Sequence, residues 1–251
     1  MKRKKILIVG GLGEVGQILY KGLKPNYDIY ISDIISKNRV EIENYIQIDI
    51  TDFDQVKKKV SKDMDTIINL AGLPQQDAIV SHDKFKQMCD VYVIGSYNIF
   101  LISKMFGIRK VIFSSTNHVT GDYESNGYSK LNRRISTSDY PLSDSAYGAL
   151  KLCSELIGYV FTQERSLNVV SLRIGTLKNN EKEILKCDNR ARRTLLSNKD
   201  AINLFTQAIE TRVKHGVYYG VSDNLNRPWS NDTAKTEISY SPSQSANELI
   251  E

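Results

Sequence analysis

The stretch that most narrows the possible folds is Ile6-Leu7-Ile8-Val9 running straight into Gly10-Gly11-Leu12-Gly13-Glu14-Val15-Gly16. A short, unbroken apolar run fits a parallel strand buried on both faces. Beyond the glycines, Val15, Ile18, Leu19 and Leu23 recur at helical spacing. Strand, tight turn and helix follow one another, with glycines at 10, 13 and 16. Such a turn lets the backbone approach a pyrophosphate at a helix N-terminus, where free N–H groups and the dipole attract anions. A glycine turn with no nucleotide is the competing reading, and its place directly after the first strand makes it the weaker one.

The remainder alternates strand and helix patterns. Asp28 to Asp33 reads as a second strand ending in an acid. Asp33 stands a little more than ~20 residues beyond the first glycine, where a carboxylate accepts from adenosine ribose hydroxyls and repels a 2′-phosphate. NAD is therefore expected rather than NADP, against the pull of nearby Lys37 and Arg39. Tyr45 to Ile48 reads as a third strand, followed by Asp49, a candidate adenine contact, and Asp52, an N-cap for the helix over Val56 and Val60. Asp65 to Gly72 is a fourth strand and turn, whose small Ala71 and Gly72 let a cofactor pass closely. Ser81 to Phe106 is mostly helical, with an apolar stripe suited to the core or a subunit interface. Val111 to His118 is a fifth strand ending in hydroxyls, an amide and an imidazole, and ligands in open α/β sheets sit at such carboxyl ends.

Asp122 to Asp144 reads as a polar loop beside the pocket. A helix from Tyr147 to about Glu164 follows, then a sixth strand, Val169 to Ile174. Gly175 to Asn198 is polar and basic, Ala201 to Val213 is helical, and Val217 to Gly220 is a short seventh strand before a Ser-, Asn- and Pro-containing tail. The expected class is α/β, a Rossmann-type doubly wound parallel sheet of about seven strands. One domain over 1–251 is expected. Residues 1–175 would form the nucleotide-binding core, and 176–251 a small substrate-side extension interleaved with it.

Tyr147 and Lys151 stand four apart, one turn along a helix face, and so project together. A phenol titrates near ~10, too high for a base at neutral pH, and a nearby ammonium favours the phenolate. Tyr147 is thus the candidate proton acceptor, with Lys151 as its activator. The chain has 251 residues, 41% of them hydrophobic, and 34 basic against 29 acidic residues for a net charge of +5. No basic stripe interleaved with aromatics suggests nucleic acid. Cys89, Cys153 and Cys187 lie far apart with no metal or disulfide spacing, so no metal is expected. The apolar run after Met1-Lys2-Arg3-Lys4-Lys5 is too short for a secretory signal, and nothing approaches a membrane span. A cytoplasmic protein with no membrane partner is the expectation.

Taken together, Gly10-x-x-Gly13-x-x-Gly16, Asp33, Asp49, Asn69-Leu70-Ala71-Gly72, Ser114-Ser115-Thr116 and Tyr147-x-x-x-Lys151 resemble the extended short-chain dehydrogenase/reductase family over roughly residues 5 to 225. A closer resemblance is to uronate dehydrogenases, which oxidise C1 of galacturonate or glucuronate to an aldarolactone with NAD. It rests on Ser115-Thr116-Asn117-His118-Val119-Thr120-Gly121, Leu172-Arg173-Ile174-Gly175-Thr176, Arg190 with Thr194, Ser197 and Asp200, and Tyr219-Gly220-Val221-Ser222-Asp223-Asn224 with Trp229 and Asn231. The resemblance implies Tyr147, Lys151 and Thr116 as catalytic. It implies an NAD site of Gly10, Leu12, Gly13, Glu14, Val15, Gly16, Asp33, Asp49, Ile50, Leu70, Ala71, Gly72, Ser114, Tyr147, Lys151 and Ile174. Thr116, Asn117, His118, Thr176 and Arg190 would contact a small-molecule sugar acid, with Arg190 gripping its carboxylate. A homo-oligomer built through the helices around 85–105 and 147–163 is also implied.

The chain departs from that pattern in places. Thr116 and Thr176 stand where serine is usual, Pro74-Gln75-Gln76 where a substrate-contacting serine is expected, and Tyr92 where asparagine is usual. A nucleotide-sugar epimerase or dehydratase, another sugar dehydrogenase, and a non-catalytic NAD-binding regulatory protein remain as alternatives. As bland readings, the Arg190 run is a solvated basic surface, His118 a satisfied structural histidine, and Trp229 a filler under the tail.

Overall fold

In the computed structural model, which describes residues 2–74, 77–163 and 167–250, alternate residues of the first strand face opposite layers. Along β1 (Lys5–Val9), Ile6 and Ile8 enter one apolar cluster and Leu7 and Val9 the other. This two-residue period, with apolar side chains at every step, makes a strand that must be covered on both sides. The strands that join it are β2 (Asp28–Asp33), β3 (Tyr45–Gln47), β4 (Thr66–Asn69) and β5 (Lys110–Thr116). A separate antiparallel pair, β6 (Glu124–Ser125) and β7 (Tyr128–Ser129), precedes β8 (Asn168–Ile174) and β9 (His215–Gly220). The main sheet has seven parallel strands in the order β3-β2-β1-β4-β5-β8-β9. The chain winds outward from β1, returns to β4 and winds outward the other way. The reversal opens a crevice at the carboxyl ends of β1 and β4, where doubly wound sheets bind ligands.

Helices cover both faces. They are α1 (Glu14–Leu23), α2 (Phe53–Lys59), α3 (His82–Met88), α4 (Ser96–Phe106), α5 (Ala146–Thr162), α6 (Glu181–Cys187), α7 (Ala191–Thr194), α8 (Asn198–Glu210), α9 (Asp232–Ile238) and α10 (Ala246–Ile250). Ile18, Leu19 and Leu23 of α1 share a cluster with Leu204, Phe205 and Ala208 of α8. On the opposite face Val56 of α2 packs with Ile99, Phe100 and Ile102 of α4 and with Phe161 of α5. Asp52 caps α2 as expected, its side chain accepting from Gln55 N at 3.0 Å.

The structure differs from the sequence reading in five places. The fifth strand ends at Thr116 rather than His118, because the Thr116 hydroxyl accepts from His118 N and starts a 3-10 helix over Asn117–Tyr123. The long helical pattern after Ser81 is broken by a π-helical segment, Cys89–Gly95, that carries Tyr92 inward. The polar stretch after Asp122 contains the β6–β7 hairpin, closed by Asn126 and Gly127 at positive φ (50° and 84°). Asn-Gly is a strong two-residue hairpin signal, and the polar flanks had hidden it. The segments read as loop after Gly175 and as tail hold α6, α7, α9 and α10. α8 begins at Asn198, ahead of the apolar run, because Ser197 caps it by accepting from Asp200 N. Gln75 and Gln76, and the expected helix end at Glu164, lie outside the described residues.

Phe100 is fully buried where α4 meets β5 and α5, with ring centroids 6.4 Å from Phe113 and 5.7 Å from Phe161. Phe100→Ala is expected to cost about 3–5 kcal/mol in urea unfolding, because three elements cannot collapse into the cavity together. A loss below ~1 kcal/mol would show that this layer is not packed as described.

Candidate active site

Gly148, on the first turn of α5, brings that helix against the segment after β5. A Cβ there would overlap the His118 carbonyl and Ser143 Oγ. Ser145 caps the helix, its hydroxyl accepting from Gly148 N at 3.3 Å. Tyr147 is thereby set beside Thr116, the last residue of β5, whose hydroxyl acts on its phenol. The Tyr147 ring stands edge-on to Tyr92, with centroids 5.4 Å apart, and 6.1 Å from the His118 ring.

One turn later Lys151 is 3% exposed. Its Nζ donates to the Ser114 carbonyl at 2.8 Å and lies 4.8 Å from the Phe113 ring and 5.0 Å from the Tyr92 ring. Burial pushes its ammonium down to about 7, with Glu155 acting the other way. Burial likewise pushes the Tyr147 phenol up to about 12, reinforced by Tyr92 and opposed by the Thr116 hydrogen bond. This corrects the sequence expectation of an acidified phenol in the free chain. The ammonium is aimed at a carbonyl and at aromatic faces, 6.0 Å from the Tyr147 ring centroid. Desolvation of a half-buried phenol outweighs it.

Several of the expected cofactor residues stand at the strand ends beside the crevice. Gly10 takes φ +73°, and a Cβ there would press on the Ala71 backbone at the end of β4. A Cβ on Gly13 would meet only the Gly10 carbonyl, at 3.3 Å, so the space above the turn is an open cradle. Gly13 precedes α1 with no side-chain cap on its N–H groups. Gly16 packs on Gly11 with no room for a side chain. Asp33 closes the turn from beside it, its Oδ2 accepting from Leu12 N at 3.1 Å. Leu12, Val15, Leu70 and Ile174, from three different strand ends and α1, pack on one apolar cluster. An open anion-accepting turn, a neighbouring carboxylate and an apolar floor fit a dinucleotide carrying no 2′-phosphate. Two other candidates are engaged elsewhere. Glu14 pairs with Lys178 Nζ at 3.0 Å and accepts from Asn179 N at 2.7 Å. Asp49 accepts from the Thr51 backbone and hydroxyl, at 2.9 and 2.8 Å. Ile50 is buried, its carbonyl accepting from Asn98 at 2.9 Å, and Gly72 lies against Tyr92.

The candidate substrate residues gather at the neighbouring strand ends. Asn117 is buried just beyond Thr116, and His118 Nδ1 is paired with Asp144 at 2.9 Å. Thr176, two residues past β8, shares a 2.8 Å hydrogen bond with Thr194. Arg190 precedes α7, but its guanidinium is already engaged with Glu124: Nη2 to Oε2 at 2.7 Å, and Nε to Oε2 and Oε1 at 3.0 and 3.2 Å. The sequence reading had reserved that fork for a substrate carboxylate and did not single out Glu124. It named Tyr92 only as a departure from the family pattern, and it passed over Glu155. Tyr92 Oη accepts from Leu73 N at 3.0 Å and so holds the loop after Gly72. Beneath Lys151, Glu155 bonds Arg173 through Nε at 2.9 Å and Nη2 at 2.7 Å and also bonds Ser115. The signal for Glu155 was its place one turn after Lys151 on the same helix face. Among the described residues, no cluster of His, Cys, Asp or Glu is placed to hold a metal ion, and no helix is long and apolar enough to cross a membrane.

Comparison with known proteins agrees with this arrangement. The model of the NAD dependent epimerase/dehydratase family matches residues 6–178. An uncharacterized protein, YtbQ, of Bacillus subtilis is 42% identical over 98% of this chain and 97% of its own. A uronate dehydrogenase of Pseudomonas syringae pv. tomato is 28% identical over 96% of this chain and 82% of its own. The crystal structure of a glucuronic acid dehydrogenase from Chromohalobacter salexigens superimposes with a TM-score of 0.83 at 25% identity, covering 99% of this chain and 89% of that one.

Buried Lys151 makes stability depend on pH with a definite sign. Between about 7, its value in the fold, and the ordinary 10.5, the unfolded chain keeps a proton that the folded chain has released. Stability contributed through Lys151 therefore rises with pH across that window, and its cost is full below pH 7. Calorimetry of cofactor-free Lys151→Met from about pH 6 to 9 is expected to show a flatter rise of Tm with pH than wild type. Lys110, lowered to about 8 by burial, keeps a residual slope in both proteins. An unchanged slope would contradict the burial of Lys151.

Proposed function

The chain belongs to the NAD dependent epimerase/dehydratase family, and on that premise we propose that it is an NAD-dependent dehydrogenase oxidising a sugar at its C1 hydroxyl to a lactone. The observation that carries this reading is the meeting of Tyr147, Thr116 and Lys151 at the carboxyl end of β5, next to the crevice between β1 and β4. NAD, when bound, supplies the acceptor for the hydride that leaves C1. Gly10, Gly13 and Gly16 would hold its pyrophosphate and Asp33 its adenosine ribose. Leu12, Leu70, Ala71, Ser114 and Ile174 would line the path toward Lys151.

The chain's own part is to bind, orient and move one proton. Thr116 Oγ1, which accepts from His118 N at 3.2 Å, keeps its hydroxyl hydrogen for the sugar's C1 oxygen or for Tyr147 Oη. Tyr147 then takes the C1 hydroxyl proton. A phenol raised to about 12 is a strong base once ionised but is seldom ionised at neutral pH. Lys151 supplies the positive charge that favours ionisation when its own proton is retained. The His118–Asp144 pair and Asn117 would hold ring hydroxyls. A uronate, the substrate class in the name of one relative, would put its carboxylate at Arg190. Exposed apolar side chains on α4 and α5, among them Tyr97, Leu156, Tyr159 and Val160, support a homo-oligomer through those helices.

Three outcomes test the reading. Tyr147→Phe is expected to bind NAD with nearly unchanged affinity and to lose about 10²–10⁴-fold in kcat. Retained turnover would remove Tyr147 from the chemistry. Wild-type kcat/KM is expected to rise with pH up to about 7 and to level off between about 7 and 9, because Lys151 gives up its proton over the range in which the phenolate fraction grows, with this profile absent from the residual activity of the variant. NADH formation, followed by absorbance with uronates, neutral aldoses and nucleotide sugars, separates a dehydrogenase from an epimerase. An epimerase would convert nucleotide sugars with no net NADH.

A further inference from the structure

Arg190 is not waiting for a partner. Its guanidinium is held two-pronged by the Glu124 carboxylate, at 2.7 to 3.2 Å, and the Glu124 side chain is only 6% exposed against 30% for Arg190. The same carboxylate accepts from Gly127 N at 2.5 Å, so it also closes the β6–β7 hairpin. The hairpin is fastened to the Arg190 turn. Gly127 packs on the Arg190 carbonyl, Arg193 lies 3.8 Å over the Tyr128 ring, and Arg193 Nη1 donates to the Asn126 carbonyl. A series of contacts ties the Arg190 turn to the strand ends. The Arg190 carbonyl accepts from Thr194 N at 3.1 Å, Thr194 bonds Thr176, and Thr176 follows Ile174, the register partner of Thr116.

We infer that Glu124 is the working partner of Arg190, and that the sugar this chain oxidises carries no carboxylate. This rests on the dehydrogenase reading and names its substrate class. Glu124 holds the Nε–Nη2 edge, so a uronate could reach Arg190 only at the Nη1 side, next to a carboxylate already in place, or by displacing Glu124. That exchange replaces one two-pronged carboxylate contact by another and so gains nothing at the guanidinium. It also leaves a second carboxylate nearly out of water without its cation, a heavily penalised arrangement. With Glu124 in place, an incoming carboxylate meets an ion pair already neutralised. A neutral aldose meets no penalty, and its hydroxyls can bond the outer edges of the same pair.

The test compares kcat/KM, by NADH formation, for glucose against glucuronate and galactose against galacturonate. Wild type is expected to favour the aldose of each pair by at least ~10-fold, the lower end of what one hydrogen bond to a charged group contributes. Glu124→Gln keeps the shape and the acceptor for Gly127 N but frees the cation. It is expected to raise the uronate-to-aldose ratio by at least ~10-fold, through a lower KM for the uronate. Wild-type preference for the uronates, or an unchanged ratio in Glu124→Gln, overturns the inference while the dehydrogenase reading stands. No NADH from any of the four sugars overturns both. Should Glu124→Gln fold poorly, the wild-type preference decides alone.

Discussion

The site depends on how closely α5 can approach the end of β5. Gly148 permits the contact, since its missing side chain leaves the helix backbone against the His118 carbonyl. One turn further on, Lys151 secures it by donating to the Ser114 carbonyl in the strand itself. A lysine spent on a backbone carbonyl in a buried position is an expensive support, and its value lowered to about 7 is the sign of that expense. The same approach sets the Tyr147 phenol beside Thr116 and the edge of Tyr92. Loosening it would separate the proton acceptor from the strand end where the reacting sugar is proposed to sit.

A second layer keeps that junction rigid. Glu155, one turn beneath Lys151, ties α5 to β5 through Ser115 and to β8 through Arg173. Arg173 reaches on to Tyr219 Oη, and Tyr219 bonds Thr120 at 2.6 Å just past the site. An ion pair this buried costs about 3–5 kcal/mol to break by removing one partner, because the other is left charged and dry. Its members therefore hold three elements in fixed relation without touching the proposed substrate. On the other wall, Tyr92 comes inward on a π-helical segment, an irregularity that recurs at functional sites, and pins the loop after Gly72.

Much of this was legible in the sequence, for definite reasons. Period-two and period-3.6 patterns report which faces are covered, so the seven parallel strands and their helices could be read from Ile6-Leu7-Ile8-Val9 and its successors. The glycine turn and the Tyr147 to Lys151 spacing were legible because each is local, set by neighbours within one turn of chain. Contacts between distant polar residues carry no such periodicity. Glu124 and Arg190 are 66 residues apart, and nothing in their local patterns says that one satisfies the other. The direction of the Tyr147 shift was misjudged for a related reason. Spacing reveals a nearby ammonium, but not where that ammonium points or how much water remains.

One half-buried phenol and one strand-end threonine are proposed to share the oxygen of a sugar's C1 hydroxyl. A crystal structure of the Tyr147→Phe variant with NAD and a neutral aldose tests this most directly, because the variant holds the complex before reaction. The expected complex has C1 facing the nicotinamide, its hydroxyl oxygen within hydrogen-bond reach of Thr116 Oγ1 and directed at the vacated Oη position, and Glu124 still on Arg190. A sugar bound with C1 turned away from residue 147 and Thr116 would contradict it.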